Sequence, residues 1–300
     1  MDGLLVIDKP QGLSSHDIVA RARRATHIKQ IGHAGTLDPL ATGVLVLCIG
    51  QATRLSEYLL GEDKAYVGRI KLGERTNTDD AEGEVVETRP VPPISDEQLR
   101  ALEQQFTGAI QQVPPQFSAI KRNGQRAYAL ARKGETVELA ARVVQIQQMT
   151  LVCEPTETAA CDQLKITVAC GSGTYIRSLA RDIGEALGCG GHLTQLQRTR
   201  IERFTIEQAI SLEALADWQT HLLPMDEAVL DMPALHLDEA QTKRVLQGQF
   251  LEVGIVTKDA FVPARLNNLC RLYNEQGVLI AIGKHEGPLL KPVKVLATTG

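Results

Sequence analysis

The sequence lacks the features that mark several classes of protein. Its longest apolar run, "GVLVLCIG", is far shorter than the roughly 18 residues that a membrane-spanning helix needs. The opening residues, "MDGLLVID", contain no basic stretch of the kind that begins a secretory signal. Internal repeats and low-complexity segments are not evident. We therefore expect a globular, cytoplasmic protein, and its 300 residues predict about two domains.

Patterns for metal and cofactor binding are equally sparse. The six cysteines never stand in C-x-x-C spacing, which argues against a zinc ribbon and against a redox pair. We expect all six to be reduced thiols in the core or at the surface. A Gly-rich phosphate loop of the Walker type is also missing. The sequence therefore predicts neither a metal nor a cofactor.

The overall charge conceals a basic segment. A formal net charge of −4 argues weakly against a polyanionic partner. Between Pro114 and Gly134, however, the chain has cations and no acid, whereas acids gather between Asp79 and Glu87. The cations are Lys121, Arg122, Arg126, Arg132 and Lys133. Other basic runs are Arg21, Arg23, Arg24 and Lys29, and then Arg198, Arg200 and Arg203. Cations on one face can bind phosphates whatever the net charge, although a solvated surface is the commoner role of any single run.

Hydrophobic patterns predict a mixture of strands and helices. Strands are expected at "LLVID", at Val44–Ile49, over "KAYVGRIKLG", and at 142–152 and 164–170. Helices are expected over "SSHDIVARARRA", with Ser14 or Ser15 as the N-cap, near 51–60, and at 95–107. These elements follow no regular βαβ period. We therefore favour the α+β class over a doubly wound parallel sheet.

The stretch "GTYIRSLARDIGEALG" predicts an amphipathic helix with an unusually placed arginine. Its apolar residues recur at helical spacing, and Thr174 could cap the first turn. Arg177 would lie in that first turn, where the helix dipole disfavours a cation unless an anion meets it. Arg177 is therefore either a solvated surface arginine or the partner of a carboxylate or phosphate.

The segment "GHAGTLDPLATGVL" places one carboxylate, Asp38, in an otherwise apolar loop. Gly35 and Gly43 permit backbone angles that other residues resist, and Pro39 biases Asp38 away from helical angles. Such a loop should hold one shape. An isolated Asp-Pro pair is more often a simple turn former, so the longer pattern has to decide.

That longer pattern resembles the signature loop of the TruB family of tRNA pseudouridine synthases, which carries a catalytic aspartate at the place of Asp38. Four further segments are similar to the family's other blocks, in the same order. They are "GLLVIDKPQGLSSHD", "KAYVGRIKLG", "PPQFSAIKRNGQRAYALARKG" and "GTYIRSLARDIGEALGCGGHLTQLQRTR".

The resemblance implies an architecture. The family has an α+β catalytic core with a mixed, largely antiparallel sheet flanked by helices and loops, which we expect over residues 1–230. An insertion at about 111–140 would close on the RNA. Residues 233–300 resemble the small PUA-like β-barrel that ends bacterial members, and a boundary is expected within 220–233.

The resemblance also implies a reaction, the isomerisation of the uridine at position 55 in the T arm of tRNA. It needs no metal or cofactor, and we expect no obligate protein partner. Asp38 would act either as a nucleophile or as a base, and the resemblance leaves both open. An apolar loop disfavours an ionised carboxylate unless a cation lies beside it. In the family the arginine of the "YIR" motif, here Arg177, pairs with that aspartate.

Other residues carry implied roles in holding the flipped base and the RNA. Tyr66 would stack on the base, Tyr175 would line the same pocket, and Leu196 would form an apolar wall, although each alone could be ordinary core. His33 would help to displace the target nucleotide, and Lys9 would lie near the active site. Phosphates would be met by Lys121, Arg122, Arg126, Arg132 and Lys133.

Two positions depart from the family pattern. Gln197 stands where an arginine is usual, and Glu202 where a glycine is usual. The resemblance then implies one phosphate or backbone contact fewer and a lower affinity for RNA. The alternative function is that of an RNA-binding, tRNA-folding factor whose modification activity is secondary or lost.

Overall fold

The computed structural model describes residues 1–59, 64–118, 121–122, 125–126, 139–154, 161–252 and 268–296. The predicted phosphate contacts Arg132 and Lys133 lie outside these residues, and only the backbone is described for Lys121, Arg122 and Arg126. The backbones of Lys121–Arg122 (β8) and Gln125–Arg126 (β9) pair as two short antiparallel strands.

A nine-stranded sheet forms the centre of the fold, in the order β1-β3-β12-β4-β11-β10-β7, with β2 paired to β3 and β13 to β12. Its strands are β1 (Gly3–Lys9), β2 (Ile31–Ala34), β3 (Thr42–Ile49), β4 (Lys64–Leu72), β7 (Gly108–Gln112), β10 (Arg142–Glu154), β11 (Gln163–Cys170), β12 (Gly191–Ile201) and β13 (Phe204–Thr205). Within this sheet β3 and β12 pair in parallel and the other paired strands are antiparallel. The predicted α+β class with a largely antiparallel sheet is therefore confirmed.

Helices flank this sheet. The α-helices of the described chain are α1 (Ser15–Thr26), α2 (Asp96–Gln105), α3 (Ile176–Ala186) and α4 (Glu239–Leu246). The 3₁₀ helices are Gly50–Leu59, Ile206–Gln208, Glu213–His221 and Met225–Val229. The helix predicted near 51–60 is thus a 3₁₀ helix. Its buried Ala52 and Leu55 are three residues apart, a spacing that fits both helix types, so the sequence pattern did not distinguish them.

Both faces of the sheet are buried where the site forms. In β1, Leu5 and Ile7 belong to the core that α1, α2 and α3 complete, whereas Leu4 and Val6 face a second core. Successive side chains of a strand point to opposite faces, which explains the continuous apolar run of this strand. In β4, Ile70 is buried on the α3 side, whereas the preceding Arg69 is exposed.

The C-terminal residues form a separate five-stranded sheet in the order β14-β16-β17-β18-β15. The strands are β14 (Ala234–His236), β15 (Leu251–Glu252), β16 (Leu269–Tyr273), β17 (Leu279–Glu286) and β18 (Leu289–Val295). Leu279 and Ile282 pack in the second core with Leu55 and Leu59. This sheet therefore lies on the face of the central sheet opposite α3. A smaller two-stranded sheet pairs β5 (Glu74–Thr76) with β6 (Val85–Thr88).

The expectation of six reduced cysteines is wrong for two of them. Cys153 and Cys161 form a disulfide, with their Cα atoms 5.6 Å apart. They flank the connection between β10 and β11, and antiparallel pairing brings the two ends of that connection together. The eight-residue separation resembles no redox motif, so spacing alone could not reveal the bond. The thiols of Cys48, Cys170, Cys189 and Cys270 are free and buried.

Within the described chain, the helices are all too short or too polar to cross a bilayer.

Candidate active site

The Asp38 loop joins β2 to β3 and is fixed to the start of α1. Ser15 is buried; its hydroxyl donates to the Leu37 carbonyl at 3.0 Å and accepts the Leu37 N–H at 2.8 Å. The N-cap of α1 is Ser14, which forms a capping box with Asp17. Of the two candidate serines, Ser14 therefore caps the helix and Ser15 holds the loop.

Close packing also shapes the two ends of this loop. Gly43 has a φ of +94°, and a Cβ atom there would lie 2.2 Å from the Arg198 carbonyl oxygen. The Ala41 N–H donates to the Asp38 carbonyl at 3.1 Å, which closes the turn over Pro39. The loop is thus held in one conformation, with the Asp38 side chain 45% exposed.

Lys9 holds the backbone of the loop and does not line the pocket beside Asp38. Its side chain is buried, and its ammonium group donates to the carbonyls of Leu13 at 2.7 Å, Pro10 at 3.0 Å and Pro39 at 3.5 Å. Burial lowers the pKa of Lys9 to about 8, although the nearby Asp38 carboxylate opposes that shift. Lys9 therefore holds the loop through backbone carbonyls, and its expected role near the active site stays a prediction.

This position predicts a pH dependence of stability. The folded protein releases the Lys9 proton with a pKa of about 8, whereas the ordinary pKa of a lysine is 10.5. The unfolded chain therefore binds more protons in that window, so the contribution of Lys9 to the free energy of unfolding rises as pH increases from 8 to 10.5. Urea denaturation of the unaltered protein and of Lys9→Met across this window should give diverging profiles. Parallel profiles would contradict the assigned burial of the ammonium group.

Arg177 joins Asp38 to a second, buried carboxylate. Arg177 Nη2 lies 2.9 Å from Asp38 Oδ2, and Arg177 Nη1 lies 3.3 Å from Asp80 Oδ2. Both Arg177 and Asp80 are less than a tenth exposed. The guanidinium group also donates to the Thr78 carbonyl at 3.1 Å and the Phe117 carbonyl at 3.0 Å. Two carboxylates, Asp38 and Asp80, therefore balance the positive charge that Arg177 brings to the first turn of its helix.

The start of α3 is organised around Tyr175. Tyr175 is the N-cap, and its backbone N–H and carbonyl both bond to the side-chain amide of the fully buried Gln112, at 2.9 Å and 3.1 Å. The predicted cap by Thr174 is wrong, because its hydroxyl donates instead to the Gly171 carbonyl at 3.0 Å. This arrangement places Tyr175 outside the helix proper, so its ring need not follow the helical spacing from Arg177.

The acidic stretch after β5 supplies the Asp80 partner. Its turn is fixed to β12, since the Leu193 N–H donates to the Asp79 carbonyl at 3.1 Å and the Ala81 N–H donates to the Leu193 carbonyl at 2.9 Å. The Asp80 carboxylate accepts from the Thr78 hydroxyl at 2.6 Å. In the sequence Asp80 is one acid of a charged cluster, and no local pattern distinguishes it from its neighbours as a site residue.

A pocket of about 300 Å³ opens beside the ion pair. Of the predicted site residues, Asp38, Tyr66, Tyr175, Arg177 and Leu196 line it together. The Arg142 guanidinium carbon lies 4.8 Å from the centre of the Tyr175 ring. The pocket thus combines two aromatic rings, an aliphatic wall and a partly exposed carboxylate, which suits a flat, polar-edged base.

Arg198 lines the pocket and is not the surface cation that its basic run suggests. It is 1% exposed and donates to the carbonyls of Val44 at 2.8 Å and Gly35 at 2.9 Å. Burial raises the pKa of Tyr66, and the neighbouring charge of Arg198 partly opposes this. Arg198 therefore holds the Asp38 loop to β12 and β3 and cannot serve as an external phosphate contact.

His33 and Glu202 lie apart from the pocket wall. His33 is half-buried on β2, and its pKa is lowered, chiefly because burial disfavours the charged ring. Glu202 occupies the turn between β12 and β13 with a φ of +51°. Glycine tolerates that conformation better, so the departure at Glu202 places backbone strain in this turn.

Among the residues that the structure describes, no group of three or more His, Cys, Asp or Glu side chains is arranged to hold a metal ion.

The chain matches two protein-family models and several known proteins over nearly its full length. Residues 23–176 match the TruB family pseudouridylate synthase N-terminal domain, and residues 177–233 match the tRNA pseudouridylate synthase B C-terminal domain. The chain is 46% identical over 301 residues to a tRNA pseudouridine synthase B from Arthrobacter sp. (strain FB24), covering 99% of this chain and 97% of the relative. It is 44% identical over 301 residues to the protein of that name from Thermobifida fusca (strain YX), covering 99% of each chain.

A solved structure shares the fold at lower identity. A chain of an H/ACA RNP bound to a substrate RNA containing 2'-deoxyuridine superposes with a TM-score of 0.70 at 24% identity, covering 99% of this chain and 85% of that chain. The shared fold, the family matches and the nearly full-length relatives all agree, and this chain belongs to the TruB family of pseudouridylate synthases.

Proposed function

We propose that this enzyme converts the uridine at position 55 in the T arm of tRNA to pseudouridine, with Asp38 as the reacting carboxylate. The observation that carries the proposal is the ion pair between Asp38 and the buried Arg177 at the wall of the pocket. The relatives named tRNA pseudouridine synthase B support tRNA as the substrate.

The reaction requires a carboxylate and a pocket that fits the base. The bond between N1 and C1′ breaks, the base turns, C5 bonds to C1′, and the C5 proton is lost while N1 gains one. Atoms and electrons balance without an oxidant or reductant. Asp38 could attack C1′ or remove a ribose proton on a path through a glycal, and its partial exposure suits either role.

The target base has to leave the RNA stack before it can enter the pocket. Tyr66 is the proposed stacking partner of the flipped base, with Tyr175 and Leu196 as the opposite wall. His33, outside this wall, would occupy space that the displaced nucleotide leaves. Arg142 beside the Tyr175 ring would add a cation close to the RNA backbone.

The domain assignment belongs to the same proposal. Residues 1–230 would form the catalytic domain, with an RNA-clamping insertion at about 111–140, and residues 233–300 would form a PUA-like RNA-binding domain. The five-stranded C-terminal sheet supports a compact unit there. A tRNA-modifying enzyme would work in the cytoplasm.

The test is to mix the purified protein with an unmodified tRNA transcript and to map pseudouridine by chemical adduct and primer extension. Modification at position 55 is expected, and a transcript with cytidine at that position is the control. Tight binding without modification would contradict the proposal and favour the RNA-binding, tRNA-folding factor.

The basic segment has its own prediction. Replacing Lys121, Arg122 and Arg126 by Gln should weaken RNA binding and flatten the plot of log affinity against log salt, by roughly 0.7 to 0.9 for each lost phosphate contact. Titrations at several potassium concentrations measure this slope. The comparison variant replaces the exposed cations Arg21, Arg24 and Lys29, for which a smaller change is expected. Unchanged slope in the first variant would reject the clamp.

A further inference from the structure

The chain segment that enters the pocket from β7 is held on α3. The Val113 carbonyl accepts from the Ser178 hydroxyl at 2.9 Å, and the Phe117 carbonyl accepts from Arg177 Nη2 at 3.0 Å. The same Nη2 atom contacts the Asp38 carboxylate. Ser118, the residue after Phe117, is therefore placed by the guanidinium group that also holds the reacting carboxylate.

Ser118 has a buried hydroxyl that finds no partner in the described part of the chain. The residue is 3% exposed and lines the pocket, yet its Oγ makes no hydrogen bond to any residue that the structure describes. Other hydroxyls nearby are satisfied, since Thr174 donates to Gly171 and Ser178 to Val113. An unsatisfied buried hydroxyl costs stability, so its presence at a pocket wall points to a ligand that satisfies it.

We propose that Ser118 is a base-binding residue whose hydroxyl hydrogen-bonds to the N3 edge of the uracil ring. This inference rests on the proposed function. Uracil presents an N3–H donor between two carbonyl acceptors, and a serine hydroxyl can both accept and donate. Asp38 and Arg177 engage one another, whereas the Ser118 hydroxyl has no partner among the described residues.

The chemistry of the reaction explains why one hydroxyl suffices. Turning uracil by half a revolution about the axis through N3 and C6 exchanges N1 with C5 and O2 with O4. N3 stays on the axis, so the N3 edge offers the same acceptor, donor and acceptor before and after the turn. A hydroxyl at this edge can therefore hold both the substrate orientation and the product orientation of the base.

The test is Ser118→Ala, measured in the full-length protein with a T-arm RNA hairpin. The single-turnover rate of pseudouridine formation should fall roughly tenfold, because that factor corresponds to the net free energy of one hydrogen bond. The affinity advantage of the uridine hairpin over a hairpin abasic at the target position should shrink by a similar factor. The melting temperature of the RNA-free variant should equal or exceed that of the unaltered protein, because an unsatisfied group has been removed.

Stability separates this role from a structural one. Ser178→Ala removes a hydroxyl that has a partner, and it should lower the melting temperature. A similar decrease for Ser118→Ala, or an unchanged rate and affinity ratio, would overturn the proposal. Absence of pseudouridine with the unaltered protein would instead contradict the proposed function, and the affinity comparison with abasic RNA would still test Ser118.

Discussion

Asp38→Asn should reduce pseudouridine formation by at least about a thousandfold, because asparagine can neither attack C1′ nor accept a proton usefully. Asn matches the carboxylate in shape, and the loop does not depend on the Asp38 side chain for its position. Ser15, Lys9 and Arg198 hold that loop through its backbone. RNA binding should therefore stay within about tenfold of the unaltered protein, since phosphate contacts elsewhere supply most of the affinity.

Single-turnover assays with a T-arm transcript and salt-matched binding titrations measure the two effects separately. Asp38→Ala in parallel excludes activity from any Asn that reverts to Asp. Pseudouridine at more than a trace rate in both variants would remove Asp38 from its assigned role. A loss of RNA binding comparable to the loss of rate would show instead that Asp38 shapes the RNA site.

Elements with a strong hydrophobic period were predictable from the sequence. The hydrophobic pattern of "KAYVGRIKLG" predicted the strand β4, and Tyr66 and Ile70 lie on its buried face. In α3 the apolar stripe through Leu179 and Ile183 fixed the packing face and placed Arg177 in the first turn. These patterns are local, so they can be recognised in the sequence without knowledge of the rest of the fold.

The contacts that complete the site are not local. Asp80 reaches Arg177 only because the turn after β5 is bonded to Leu193 of β12. Arg198 stands in a basic run that is typical of a surface. It is nevertheless buried, because the parallel pairing of β12 with β3 covers its side chain. Charge runs carry no signal that tells a buried arginine from a solvated one.

Ser15 and Ser118 illustrate the same limit for hydroxyl groups. A serine at a helix start predicts a cap, and one of the two adjacent serines does cap α1. The other is recognisable as a loop anchor only when Leu37 is seen to lie across it. Burial of Ser118 depends on the attachment of its segment to α3, which sequence spacing does not encode.

Replacement of Arg177 by Gln should impair both activity and stability. It leaves the buried Asp80 carboxylate without its cation, which costs about 3 to 5 kcal/mol of the free energy of unfolding when one partner of a buried pair is removed. It also frees Asp38 from its contact and releases the Phe117 carbonyl, so the rate should fall at least about a hundredfold even in the folded fraction.

Arg181, one turn further along α3, provides a matched control. It pairs with Asp79 at 2.8 Å and donates to the Val113 carbonyl at 2.8 Å, and it forms no ion pair with Asp38. Arg181→Gln should therefore lower the free energy of unfolding while reducing the rate of the folded enzyme far less than Arg177→Gln does. Urea denaturation and single-turnover rates, measured where both variants are folded, separate the two effects. If both variants lost stability and rate in the same proportion, Arg177 would be a structural residue, and the ion pair with Asp38 would have no separate part in the reaction.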